Sequence, residues 1–310
     1  MIEINLSKGP FMKSQSPLIK TTLVVVWCVL SLFASPIRIV AAITDLGSIA
    51  SYIGGDKVEI SAIAKANSNP HSIEVFPSYM AKVSRAAIYL KSGLGLDQWS
   101  DAIIDGSRNN KVVTVDCSIG ISVLEKPTGK VDASMGDVHP FGNPHYWLNP
   151  DNGIIIGQNI ETELTKTDPA NAAFYSANLE RFKKECLDRM TAWKEKLEPL
   201  AGAKIITYHS SWAYFADAFG FDIVAKVEPF PGIPPTGNHL SDLVNVIKKE
   251  KAAFIIQEPY FSDDAPKFLN RQTGIPVFKS APSCSDVSPS SYLDHFDSII
   301  HQLTTVSGGK

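Results

Sequence analysis

The sequence is poor in the features that mark several common classes of protein. Only four cysteines occur in 310 residues, with no Cys-x-x-Cys spacing, so a thiolate zinc ribbon is excluded. No His-Glu-x-x-His motif is present, and no general base is tied to a histidine by spacing, which argues against a metallohydrolase. Lys and Arg number 29 against 32 Asp and Glu, a net charge of −3, so there is no basic field to attract nucleic acid. No internal repeat or low-complexity tract stands out. The longest apolar run, residues 21–34 (TTLVVVWCVLSLFA), is short for a membrane span.

That run is informative in another way. Lys13 and Lys20 precede it and small residues follow, the pattern of an export signal ending near Ala34 or Ser35. Met12 is an alternative start. Cys28, between Trp27 and further apolar residues, makes a poor lipid-attachment site. Export leaves Cys117, Cys186 and Cys284, an odd number that allows one disulfide and one free thiol. The remaining chain, within a composition of 44% hydrophobic and 20% charged residues, is long enough for two globular lobes.

Strand-like apolar runs alternate with helical patterns, which predicts an α/β protein with two mainly parallel sheets flanked by helices. Strands are expected at 37–42, 58–64, 87–90 and 112–115, with helices at 46–53, 78–84 and 97–105. Asp168-Pro169 opens a long helix ending at Pro199, with a stripe of Phe174, Phe182, Cys186, Met190, Trp193 and Leu197. This helix is expected to act as a rigid strut. The second half repeats the alternation, with strands at 204–207, 223–227, 253–257 and 276–279 and helices at 212–219, 240–250, 265–273 and 292–306. The expected division is a signal at 1–35, a first lobe at 36–166, a linking helix at 167–199 and a second lobe at 200–310.

Three of the seven histidines share a context. His71 lies in NSNPHSIEVFPS after the 58–64 strand, His145 in GNPHYWLNP, and His209 at the end of the strand KIITY. Ligands of open parallel sheets bind beyond the carboxyl ends of strands, and neutral imidazoles there suit zinc, copper, iron or nickel. Spacing alone leaves metal binding and local hydrogen bonding equally open. Trp99, Trp147, Trp193 and Trp212 are expected to pack in the core, and the run Lys248-Lys249-Glu250-Lys251 to be a solvated helix end.

The chain resembles the metal-binding subunits of zinc and manganese ABC importers. The segments that carry the likeness are DLGSIASYIGGDKVEI, NPHSIEVFPS, GLGLDQW, GDVHPFGNPHYWLNP, TYHSSWAYFADAFGF, FPGIPPTGNHLSDL and IIQEPYFS, in the family's order. The resemblance implies two lobes joined by one long helix, with His71, His145 and His209 as metal ligands. It implies capture outside the cytoplasm, periplasmic or otherwise, by a monomer that hands its ion to a membrane permease. A histidine rather than a carboxylate at 209 points to zinc over manganese. The His-rich loop of many zinc members is missing, and only His139 stands near its place. For the fourth ligand the resemblance puts Cys284 near the family's aspartate position. Asp286, two residues on, is the preferred ligand, with Cys284, Glu258 or water as alternatives. Glu258 is otherwise expected to accept a hydrogen bond from a ligand histidine. A zinc-dependent hydrolase and a surface adhesin-like module are the competing functions. Binding is expected to weaken as pH falls through about 6.5, the ordinary histidine value.

Overall fold

A computed structural model describes residues 1–3, 35–129, 131, 136 and 139–307. Residues 4–34 of the expected 1–35 signal, including Cys28, lie outside the described residues. Among the described residues no helix is long and apolar enough to cross a membrane.

The first sheet is built from β1 (Ile37–Ile43), β2 (Val58–Ala64), β3 (Ile88–Lys91) and β4 (Val113–Asp116), all parallel in the order β2-β1-β3-β4. Between them run α1 (Thr44–Gly54), α2 (Pro77–Val83) and α3 (Trp99–Ser107). The second sheet repeats the order with β5 (Lys204–Thr207), β6 (Asp222–Lys226), β7 (Ile255–Gln257) and β8 (Val277–Lys279), arranged β6-β5-β7-β8. Its helices are α6 (Ala213–Phe219), α7 (Gly237–Glu250), α8 (Asp264–Thr273) and α9 (Ser291–Ser307). In both sheets the strand order reverses beside the first strand, which is where a parallel sheet opens a ligand crevice. β1 reads as an almost unbroken apolar run because both its faces are covered; Ile39 to Ile43 are all buried.

Two helices join the halves. α4 (Pro150–Thr167) starts at Asn149, whose side chain accepts the backbone N–H of Asp151, with Pro150 at its first position. α5 (Ala172–Leu197) follows after a 3₁₀ turn and runs 26 residues, about 39 Å at 1.5 Å per residue. The single helix expected from Asp168 therefore starts later. Asp168 does not cap α5; its carboxylate accepts from Asn171 and from the Tyr175 hydroxyl and closes the turn between α4 and α5. Phe174 departs from the expected buried stripe. It lies at the surface with the Lys57 ammonium 5.6 Å from its ring centre, and Tyr175 is buried in its stead.

α5 binds both halves along its length. Glu185 accepts from Tyr52 on α1, while Arg189 reaches Asp294 and Asp297 on α9, and Trp193 Nε1 donates to Asp297. One apolar cluster runs unbroken from Ile39 and Ile49 in the first lobe through Phe182 and Trp193 to Phe215 and Phe296 in the second. The segment between β8 and α9 also docks back on the first lobe. Cys284 N–H donates to Asp45, the Thr44 hydroxyl donates to the Cys284 carbonyl, and Trp147 Nε1 donates to the Pro282 carbonyl.

The one disulfide that the cysteine count allows is not formed among the described residues. Cys117, Cys186 and Cys284 are all buried and free, and burial pushes all three thiols far up from their ordinary range.

Candidate metal centre

Each of the three histidines sits on a segment whose backbone is fixed from both sides. His71 follows β2 on the loop to α2. The Asn69 side chain accepts the His71 N–H at 3.0 Å, and the Pro70 carbonyl accepts from Trp99 Nε1 at 2.9 Å. His145 is built the same way: its N–H donates to Asn143 Oδ1 at 2.9 Å, with Pro144 between them and Gly142 at φ +105° before them. Both are Asn-Pro-His turns, in which the asparagine side chain mimics a backbone turn. His209 leaves the carboxyl end of β5, extended, just before a 3₁₀ turn into α6.

These segments converge. Nε2 of His71 lies 3.1 Å from Nε2 of His145, and the His209 ring centre lies 5.0 Å from that of His71 and 5.4 Å from that of His145. One nitrogen from each of the three lies within 4.8 Å of the others. Zinc holds imidazole nitrogens at 2.0–2.1 Å, which in a tetrahedron separates them by about 3.3 Å, close to the spacing between His71 and His145.

The Nδ1 atoms point outward to dedicated partners. His209 Nδ1 lies 2.7 Å from the buried Glu228 carboxyl, which also accepts Gly232 N–H from the proline-rich loop 229–235. His145 Nδ1 lies 2.9 Å from Asn143 Oδ1, whose amide nitrogen is committed to Glu125 and to the Ser210 carbonyl. An ionised carboxylate and an amide oxygen accept, so both Nδ1 atoms face acceptors and both Nε2 atoms are left for the group. His209 Nε2 is fully buried and has no hydrogen-bond partner, the condition of a ligand nitrogen awaiting an ion. His71 Nδ1 lies 3.1 Å from His139 Nε2. Burial, followed by the neighbouring histidines, pushes His71 and His145 well below the ordinary histidine range, which keeps them neutral and able to ligate.

Asp286 is not brought to this group. It is exposed, its carboxylate accepts from the backbone and hydroxyl of Ser288 and from Ser285, and these bonds hold it below the usual carboxylate range. A loop dense in serine satisfies the acid locally and turns it from the cleft. Cys284, the alternative, is likewise outside the group, with its backbone locked to Thr44 and Asp45. Glu258 is placed differently from expectation. Glu228, not Glu258, accepts from His209, because β6 ends beside β5 and delivers residue 228 to Nδ1. Glu258 is wholly buried at the end of β7, where one oxygen accepts from Trp212 Nε1 and the other has no partner. Burial raises its carboxyl above the ordinary value, and the nearby His209 opposes that rise.

Glu228, Asn143 and His139 were missed as partners of the ligands. Asn143 had a signal, the repeated Asn-Pro-His, and Glu228 had one in its place at a strand end facing the proline-rich loop. A cavity of about 300 Å³ opens beside His209 and is lined by His139, Asn143, Lys226, Glu228 and Phe230. Lys226 is neutralised at its rim by Glu125 at 2.8 Å.

Two parallel-sheet lobes closing on a cluster of buried imidazoles define a metal-binding solute-binding protein. Comparison with known proteins gives the family. A family model described as the periplasmic zinc-uptake complex component A, ZnuA, matches residues 39–306, and the chain belongs to that family. ScbA of Streptococcus cristatus, a metal ABC transporter substrate-binding lipoprotein, is 27% identical over 256 residues, 79% of each chain. PsaA of Streptococcus pneumoniae serotype 4, a manganese ABC transporter substrate-binding lipoprotein, is 26% identical over 251 residues, 78% of each. A crystal structure of a ZnuA 138–173 deletion mutant with zinc bound superposes with a TM-score of 0.75 at 26% identity, over 88% of this chain and 98% of that one. The family consists of binding components of metal ABC transporters, so the chain is a carrier and not an enzyme, and its partner is a membrane permease.

Proposed function

We propose that the protein captures zinc outside the cytoplasm, through Nε2 of His71, His145 and His209, and delivers it to an ABC-type permease. The observation that carries this reading is the donor set: three imidazoles and, among the described residues, no carboxylate in the grouped ligand atoms. Manganese prefers oxygen ligands, whereas imidazole suits zinc. The zinc-bound ZnuA structure is in keeping with this, while PsaA is named for manganese. Glu258, with an unpartnered buried oxygen near His209, or a water completes the shell in place of Asp286. We read residues 1–35 as the export signal, 36–166 and 200–310 as the lobes and 167–199 as their link, in a protein acting as a monomer in the periplasm or an equivalent extracytoplasmic space.

Competition against a chromophoric chelator tests the reading. One zinc ion per chain, not displaced by equimolar manganese, supports it; a stoichiometry near zero, or manganese winning at equal concentration, overturns it.

A further inference from the structure

The loop between β4 and α4 is pinned to the second lobe at points that the ligand set alone does not need. Near the site, Asn143 N–H donates to the Leu124 carbonyl at 2.9 Å and draws two stretches of that loop together. Gly142 permits the approach, since a Cβ there would meet Val123 Cγ1 at 2.4 Å. Tyr214, buried on α6, bridges both stretches. Its hydroxyl accepts from Leu124 N–H at 3.0 Å and donates to the Asn143 carbonyl at 2.9 Å. The one proton of the phenol and its accepting oxygen are thus both committed across the lobe boundary.

Asn143 carries the connection to the site. Its Oδ1 accepts His145 N–H at 2.9 Å, and its Nδ2 donates at 2.7 Å to the carbonyl of Ser210, the residue after His209. One side chain therefore ties the backbone of a first-lobe ligand to that of the second-lobe ligand. Glu125 adds a further tie from an unusual conformation, φ +48°, in the left-handed region that favours glycine. Its carboxylate accounts for a side chain at this position. One oxygen accepts from Asn143 Nδ2 and the other from Lys226 Nζ at the end of β6, both at 2.8 Å. A strained residue persists where its surroundings over-determine it.

We propose that Tyr214, with Glu125, is a positioning residue that clasps the two lobes beside the site and sets the rate at which the ion enters and leaves. Parting the lobes here breaks four cross-lobe bonds: two at Tyr214, one at Ser210 and one at Lys226. None of the four involves a histidine ring, so the clasp is available with the site empty or filled. It resists opening in both conditions and slows entry and exit alike. The ligands then fix the affinity, and the clasp fixes the exchange rate.

The inference rests on the capture reading, and transfer of zinc to an excess of chromophoric chelator separates the two. The exit rate is read by stopped flow where it no longer depends on chelator concentration, and Kd by competition. A parent chain that takes up no zinc overturns the capture reading and the clasp's role with it. Tyr214→Phe keeps the ring and loses both hydroxyl bonds. It should release zinc about tenfold faster, with a Kd within about threefold of the parent. Glu125→Gly relaxes the left-handed backbone but removes the carboxylate, and should release zinc about threefold faster or more. If the parent binds zinc but either variant keeps the parent's exit rate, the clasp is overturned and the site stands. A Kd that rises in Tyr214→Phe as much as the exit rate would also overturn it, because the tyrosine would then support the filled site alone.

Discussion

The two lobes share one strand order, yet they divide the metal centre unequally. The first contributes two of the proposed ligands, His71 and His145, and backs them with the His139 imidazole and the Asn143 amide. The second contributes one ligand, His209, and surrounds it with two buried carboxyl groups, Glu228 and Glu258. The strand ends explain the division: β2 leads to His71 in one sheet, and its counterpart β6 leads to Glu228 in the other. Three neutral imidazoles leave the full charge on a divalent ion. In a partly desolvated site that charge draws nearby acids toward their ionised form. With the proposed ligand set, the first lobe would supply most of the coordination and the second most of the charge balance.

Removing a ligand should have the largest effect. His209→Ala and His145→Ala should each weaken zinc binding more than about a hundredfold in a chelator competition, since losing a ligand exceeds the 10–100-fold typical of its outer partners. A loss below tenfold in either would mean that the ion sits elsewhere.

Exchanging the outer partners sharpens the contrast between lobes. Glu228→Gln keeps an acceptor for His209 Nδ1 but removes the acid, and should raise the zinc Kd toward the upper end of the roughly 10–100-fold range. Asn143→Asp keeps the accepting oxygen and adds charge to the neutral lobe, so it should cost less than Glu228→Gln in the same titration. The reverse order would place the charge balance in the first lobe.

The seam between the lobes holds another buried acid, Asp45. Burial pushes the Asp45 carboxyl up to about 7, against its hydrogen bonds from Ser283 and Cys284. The unfolded chain ionises near 3.8 while the folded one stays protonated toward 7, so the folded state is increasingly disfavoured as pH rises through that window. Asp45→Asn keeps an acceptor for Cys284 N–H and should be more stable than the parent at pH 8, by on the order of 3 kcal/mol, with the gap closing toward pH 4. Chemical denaturation at the two pH values measures it, and a pH-independent difference would exclude this origin.

The histidines run the other way. With His71 and His145 held neutral by burial, the unfolded chain binds more protons below about pH 6.5. Stability of the metal-free protein should therefore be complete above that value and decline as pH falls toward their lowered folded pKa. Zinc affinity of the folded protein should hold below 6.5, later than the ordinary histidine value suggests. An affinity falling tenfold per pH unit from 6.5 would contradict it. The smallest effect is expected at Asp286. With its carboxylate committed to Ser285 and Ser288, Asp286→Ala should change the zinc Kd by less than about twofold.

Much of this was legible in the sequence because it rests on local pattern. Residues 58–64 and 204–207 are strands as expected, and the other expected elements lie within a few residues of their observed bounds. The exception is α4, Pro150–Thr167, where no helix was expected. Its glycines are there for packing: a Cβ on Gly153 would meet the Tyr292 hydroxyl at 2.6 Å, and one on Gly157 would press on Leu179 and Ile53. That reason lies in distant partners. The three histidines were visible through their strand-end contexts, and the structure gathers them. Asp286 was misplaced because a serine-rich loop decides by its own hydrogen bonds where an acid points. Glu228 was overlooked although it stands at a strand end before the proline-rich loop, because its contact with His209 depends on how the ends of β5 and β6 align.

X-ray absorption at the zinc edge of the loaded protein tests the central claim most directly. The account predicts three imidazole nitrogens at 2.0–2.1 Å, one further light ligand and no sulfur. A sulfur shell at 2.3 Å would put Cys284 on the ion, and fewer than three imidazoles would break the site described here.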